Sequence, residues 1–396
     1  MGISARQLFQ NHIAFTNDAP LALEIERARG CYLFDPNNKS YLDLISGISV
    51  SNMGHSHPNI VKAVQDQAAK HMHVLVYGEL IQNSQTAYAK ALTDHLPSNL
   101  NTVYYVSSGT EATEGALKLA KRATGRTEII SFKNSYHGST AGALSAMGDE
   151  HFKQNYRPLI PGHYIYDYGA EEGVAAINGS TAAVIVEPVQ AESGIRVPPP
   201  DFLPALRAAC DKWGCLLIFD EIQTGFGRTG HRFTIDEHGI CPDILLLAKA
   251  LGGGMPLGAF IGDKHLFEAL QTKPILGHIT TFGGHPVSCA AGHAAFDLLN
   301  QGPLLASLEA KGQRFEDNLS ELPLGCISRK GLWMAIHFES FEFNQEVIKR
   351  CLDKGLLTDW FLFAPNALRI APPLPISNEE IDFATDTILE VCHEMA

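Results

Sequence analysis

The chain has 396 residues, 45% of them hydrophobic, and a formal net charge of −13. That length supports a large core, in two domains. The acidic balance without a basic block weighs against nucleic acid as a partner, and no apolar run approaches the ~20 residues of a membrane span.

The eight cysteines are scattered, with no C-x-x-C pair. The segment Met1–Gln7 lacks the apolar core of a signal peptide. Both features suit reduced thiols and a cytoplasmic location. His55 and His57, or His71 and His73, could hold zinc. No Cys or carboxylate flanks them at ligand spacing, so no metal site is assigned.

In chain order, Gly30–Leu44 carries two short strand patterns around Pro36–Asn37–Asn38, a hairpin signal. Ser46 to Pro58 is rich in small residues and glycine, which predicts a loop that approaches a ligand or another backbone. Pro58 opens a helix whose apolar positions include Ile60, Val61, Val64 and Ala68. Val103–Val106 is a strand that runs into Ser107–Ser108–Gly109–Thr110, then into a helix through Leu117, Leu119 and Ala120. Strand, small residues, helix is the geometry of an anion site at a helix N-terminus. A serine-capped helix fits the same residues. Glu128–Phe132 is a further strand, leading to Tyr136–His137–Gly138–Ser139–Thr140. Ala182–Val186 is a buried strand followed by a polar turn with Glu192. Three prolines, Pro198 to Pro200, precede a helix over Phe202–Trp213.

Leu216–Phe219 lies between Gly214 and Gly225 and reads as a strand buried on both faces. Asp220 ends it, at the edge where open α/β sheets bind ligands. Asp243–Ala248 is a second such run. It ends in Lys249 and a triple glycine, and the glycine-rich turn Thr280–Pro286 follows. Alternating strands and helices from about 60 to 290 predict an α/β fold with a mainly parallel sheet. Beyond about 292, helical patterns at 294–299, 304–319 and 344–352 alternate with short strands near 332–338 and 368–371. That is a smaller α+β domain.

A carboxylate and a lysine, each ending a buried strand, suit pyridoxal 5'-phosphate. That cofactor needs a lysine to bond its carbonyl and an acid opposite its pyridinium nitrogen. The run Asp220-Glu-Ile-Gln-Thr-Gly-Phe-Gly-Arg-Thr-Gly230, with Lys249 after it, resembles the class III (subgroup II) pyridoxal-phosphate-dependent aminotransferases. The resemblance extends over nearly the whole chain and points to the acetylornithine/ornithine group. It implies a fold-type I architecture: a large cofactor-binding domain over 46–291, and a discontinuous small domain from 1–45 and 292–396.

It also implies roles. Lys249 carries the cofactor and moves the substrate proton, and Asp220 holds the pyridinium proton. Gln223 bonds the ring hydroxyl and Tyr136 stacks on the ring. Ser108, Gly109 and Thr110 cradle the phosphate. Thr281 reaches the phosphate of a neighbouring subunit, which implies a homodimer with shared active sites. Arg369 binds the α-carboxylate of the acceptor, since its planar fork makes two parallel hydrogen bonds. Glu192 pairs with Arg369 when the bound amine brings no such carboxylate. The expected reaction moves an amino group from a terminal (ω) amine, N-acetylornithine- or ornithine-like, to a 2-oxo acid, 2-oxoglutarate first.

Two positions depart from that group. Ser139 stands where acetylornithine, ornithine and 4-aminobutyrate enzymes carry an arginine for the distal carboxylate. Ile48 stands where ornithine enzymes tend to place an aromatic. An ω-amine:pyruvate transaminase is therefore an alternative, as is an aminomutase of the glutamate-1-semialdehyde type. Glu192 with Arg369 disfavours the mutase, whose cycle needs no external 2-oxo acid. Intact Lys249, Asp220 and Gln223 argue against a non-catalytic protein of the same fold.

Overall fold

The computed structural model describes residues 3–395. The expected hairpin forms: β1 (Arg27–Arg29), β2 (Tyr32–Phe34) and β3 (Ser40–Asp43) pair antiparallel. Asp35 closes the turn, its Oδ1 accepting from the N–H groups of Asn37 and Lys39, each at 2.8 Å. Asn38 takes a φ of 62°, which asparagine tolerates better than most residues.

The centre is a seven-stranded sheet of β4 (Thr102–Val106), β5 (Glu128–Phe132), β6 (His163–Tyr166), β7 (Thr181–Val186), β8 (Leu216–Asp220), β9 (Ile244–Leu247) and β10 (Gly258–Gly262). Their spatial order is β4-β10-β9-β8-β7-β5-β6. The run from β6 to β9 is parallel throughout. β10 enters antiparallel between β9 and β4. Every residue of β7, β9 and β10 is buried, as their unbroken apolar runs require of strands covered on both faces.

One covering element is the helix Gly109–Thr124, capped by Ser108 and ended at Gly125 in the left-handed conformation. Leu117, Leu119 and Ala120 pack with Ile129, Ile185, Ile218 and Phe260, each large side chain worth about 2 kcal/mol of burial. The helix sits so close to β10 that a Cβ on Gly115 would collide with the Phe260 ring.

The C-terminal part contributes β11 (Cys326–Arg329), β12 (Met334–His337), β13 (Leu356–Leu357), β14 (Trp360–Phe361) and β15 (Ala364–Ile370). Four of these form an antiparallel sheet, β11-β12-β15-β14. β13 instead joins β3 in parallel, Leu356 opposite Leu42, so the N-terminal hairpin completes its sheet with the far end of the chain.

Arg228, in the loop after β8, ties these layers together. Its guanidinium is fully buried and donates to the carbonyls of Leu332 and Pro372, to Asn52 Oδ1 and to Ser46 Oγ. Burial pulls its pKa down to about 9, with the Asp43 carboxylate opposing the shift.

Candidate active site

The C-terminal ends of the parallel strands open into a cavity of about 480 Å³, at the edge where sheets of this kind hold ligands. Asp220 lies there, 3% exposed. Its Oδ1 accepts from the Ile222 N–H at 3.0 Å, and its Oδ2 is 2.7 Å from His137 Nδ1. His137 follows β5 and reaches across the end of β7 to meet Asp220. Its Nε2 is buried without a partner among the described residues. Sequence reading gave His137 no role. Only the strand order β8-β7-β5 brings it to Asp220, and no spacing along the chain encodes that order.

Lys249 follows β9 with a φ of 50°. Its Nζ donates to Gln223 Oε1, while Gln223 Nε2 is a buried donor without a partner among the described residues. Burial pulls the Lys249 amine down to about 8, with Glu192 opposing the shift. An amine attacks a carbonyl only when neutral. Capture of pyridoxal phosphate by cofactor-free protein should therefore quicken as pH rises from 6 and level off above about 8. Stopped-flow absorbance measures it, and a flat profile over that range would count against this amine as the nucleophile.

The first turn of a helix leaves backbone N–H groups that the helix itself does not use. Here Gly109 and Thr110 supply them, and both line the cavity. Ser108 Oγ accepts from the Glu111 N–H at 3.3 Å, so the capping reading and the anion-site reading hold together. Gly138 presses the Tyr136–Thr140 loop onto this turn. With a φ of 128° and no room for a Cβ beside Thr110, the position requires glycine. Tyr136 and Ser139 also line the cavity, the Tyr136 hydroxyl 3.1 Å from Ser139 Oγ. Glu187, which sequence reading passed over, holds this loop in place. Its two carboxylate oxygens accept from the N–H groups of Tyr136 (3.0 Å) and Ala191 (2.9 Å). Burial lifts its pKa to about 7.

On the opposite wall, Glu192 meets Arg369 through paired contacts of 3.1 Å and 3.0 Å. Burial alone would raise the Glu192 carboxyl, but Arg369 outweighs it and holds the group below its usual range. Glu192 lines the cavity, and Arg369 sits behind it, 1% exposed. Arg369 Nε also donates to Asp359 Oδ1 at 2.8 Å, and the guanidinium lies 4.3 Å from the Phe361 ring centroid.

Two expected residues sit elsewhere. Thr281 is exposed, away from the cavity lining. Ile48 is half-buried in a left-handed turn that runs from Ser46 to Ser49, each residue at positive φ. Such a conformation costs a β-branched residue energy. Val50, rather than Ile48, is this segment's residue on the cavity wall.

The residues present fit pyridoxal phosphate. A buried amine of lowered pKa, a buried carboxylate, an unpartnered amide donor on Gln223 and a helix N-terminus all converge on one cavity. Comparison with known proteins agrees. Residues 13–392 match the family model described as aminotransferase class-III. The chain is 39% identical over 358 residues, 90% of each chain, to an acetylornithine aminotransferase of Methanopyrus kandleri. It is 37% identical to that of Bacillus subtilis, over 94% of this chain and 96% of the relative. Among solved structures, the ornithine aminotransferase of Toxoplasma gondii superposes with a TM-score of 0.90 at 29% identity, covering 98% of this chain and 94% of that one. A pyridoxal-phosphate-bound amine transaminase from an uncultivated Pseudomonas species gives 0.89 at 26% identity, covering 98% and 99%. The chain belongs to the class III aminotransferases, transaminases of fold type I that work with pyridoxal 5'-phosphate.

Proposed function

We propose that this transaminase takes its amino group from a terminal (ω) amine and delivers it to a 2-oxo acid, with 2-oxoglutarate as the acceptor. The observation that carries this reading is the Glu192–Arg369 pair in the wall beside Lys249. Glu192 neutralises the arginine while an amine without an α-carboxylate is bound. It gives way when the acceptor brings a carboxylate of its own. Several acetylornithine aminotransferases among the relatives support the same donor class.

Bound pyridoxal phosphate supplies a ring that draws electrons from the substrate carbon. Asp220 keeps the proton on the ring nitrogen, and His137 orients Asp220. The Gln223 amide would donate to the ring oxygen, and Tyr136 would pack against the ring. The Lys249 amine would act as the base for the substrate proton. Ser108, Gly109 and Thr110 hold the phosphate. Thr281 reaches the site of a second copy, so the working form is a homodimer, and light scattering that found a fully active monomer would exclude it. The division into residues 46–291 and 1–45 with 292–396 belongs to the same proposal, as does a cytoplasmic location.

Ser139 favours a donor without a distal carboxylate, because no arginine stands in the loop after Tyr136. That feature also keeps pyruvate open as an acceptor. A panel of amine donors, each paired with 2-oxoglutarate or pyruvate and read as glutamate or alanine formed, tests both choices. In the same assay Glu192→Ala should raise the ratio of α-amino acid to ω-amine rates about tenfold or more, since a desolvated ion pair no longer competes. Ser139→Arg should improve use of N-acetylornithine. An unchanged ratio in Glu192→Ala would end the switch reading. A wild-type preference for N-acetylornithine over donors lacking a distal carboxylate would narrow the donor to that compound.

A further inference from the structure

We propose that Asp359 is a positioning residue, which keeps Arg369 aimed at the acceptor carboxylate during the half-reaction in which Glu192 has moved aside. The inference rests on the reading of Arg369 as the acceptor's carboxylate site.

The two carboxylates use different edges of the Arg369 guanidinium. Glu192 accepts from Nη1 and Nη2 at 3.1 Å and 3.0 Å. That is the forked edge a substrate carboxylate also needs. Asp359 accepts from Nε at 2.8 Å, outside the fork. An incoming carboxylate can therefore replace Glu192 without touching Asp359. Once Glu192 leaves, the other contacts on the guanidinium are the Trp360 carbonyl, 3.0 Å from Nη2, and the Phe361 ring. Neither carries a charge. Asp359 does, and with the Trp360 carbonyl on Nη2 its bond to Nε fixes the plane of the guanidinium from a second point.

Asp359 is itself well placed to act as a fixed post. Its carbonyl accepts from the Arg369 N–H at 2.9 Å, and the Thr358 hydroxyl donates to the Arg369 carbonyl. The irregularity in pairing between Trp360 and Phe361 occurs in the stretch that carries these contacts. The backbones of the two residues are thus locked together, so the Nε contact needs no long side chain to be ordered on the acid's part. Glu192 is held differently. Apart from Arg369, its carboxylate is held by the Leu362 N–H at 3.1 Å. For an acceptor carboxylate to enter, Glu192 gives up the Nη1 and Nη2 contacts, whereas the Asp359 contact to Nε can persist through both half-reactions.

The test compares Asp359→Ala and Asp359→Asn with wild type, each as cofactor-loaded protein with a melting curve. Two measurements are made. One is the binding of glutarate, an unreactive dicarboxylate, by calorimetry. The other is single-turnover kinetics of the pyridoxamine-phosphate form with 2-oxoglutarate, beside the donor half-reaction with a terminal alkylamine that carries no carboxylate. Asp359→Ala should weaken glutarate binding, and raise half-saturation by 2-oxoglutarate, about tenfold, the loss of one charge-assisted hydrogen bond. The limiting rates and the donor half-reaction should stay near wild type. Asp359→Asn keeps an acceptor for Nε and should restore binding to within about threefold. If the alanine variant does not fold, Asp359→Ser replaces it, with the same expectation. Unchanged glutarate binding would overturn the inference, as would equal losses in both half-reactions. Glutarate binding in Asp359→Asn tighter than wild type would also overturn it, because charge rather than aim would then be at work. Arg369→Gln is run alongside. If it weakens glutarate binding while Asp359→Ala does not, only the role of Asp359 fails. If it leaves binding intact, the reading of Arg369 fails and this inference with it.

Discussion

Replacing Lys249 with alanine should lower transamination by about four orders of magnitude or more, because one side chain supplies both the nucleophile and the proton-transfer base. The amine is buried in the cavity with its pKa lowered to about 8, so a far larger fraction is neutral near physiological pH than for an ordinary lysine. Gln223 is the group it touches, and an amide can neither bond the cofactor covalently nor take over its proton. Two readouts belong together: turnover with an amine donor, and the visible absorption of the bound cofactor. Loss of the second shows that the covalent link is gone, and loss of the first shows that the base is gone. A variant that kept wild-type turnover would remove Lys249 from the chemistry.

Asp220→Asn should keep the cofactor bound but reduce turnover about a thousandfold, equivalent to about 4 kcal/mol of barrier. The amide matches the carboxylate in shape and can still bond His137 and the Ile222 N–H. What it loses is the negative charge that keeps a proton on the ring nitrogen, and without that proton the ring draws electrons poorly. The stopped-flow rate of the half-reaction with an amine donor measures the effect, and the absorption band checks that cofactor is present. Rates equal to wild type would mean that Asp220 only shapes the end of β8.

Much of this was legible in the chain. Asp220 and Lys249 end apolar runs, and a run buried on both faces can only place its last residue at the sheet edge. Glu192 and Arg369 were readable as family positions, and the structure brings them to paired contacts. Other features depend on neighbours that the sequence does not name. His137 meets Asp220 because β7 lies between β5 and β8. Asp359 meets Arg369 because of the strand pairing around it. Glu187 follows a strand as many polar residues do, and only its contacts to the Tyr136 and Ala191 N–H groups mark it as holding the loop. The direction of β10 was also hidden, since Gly258–Gly262 has the same apolar character as the parallel strands. β6, with His163, Tyr164 and Tyr166, is too polar to read as sheet from composition alone. Val50 and Ile48 differ by two positions, and Ile48 lies within the left-handed turn Ser46–Ser49, while Val50, just after it, lines the cavity.

The antiparallel entry of β10 sets an order of events during synthesis of the chain. β4 is an edge strand whose partner in the sheet is β10, which leaves the ribosome some hundred and fifty residues later by the numbering of the two strands. Until then β4 has no ladder to join, and the groove of the helix Gly109–Thr124 at Gly115 lacks the Phe260 ring that fills it. The phosphate cradle at the start of that helix is therefore among the last parts of the site to become rigid, after the residues bearing Asp220 and Lys249 have already emerged. At about 5–20 residues per second, the growing chain spends roughly ten seconds or more with half a cofactor site. Loading of the cofactor accordingly waits at least until β10 has emerged.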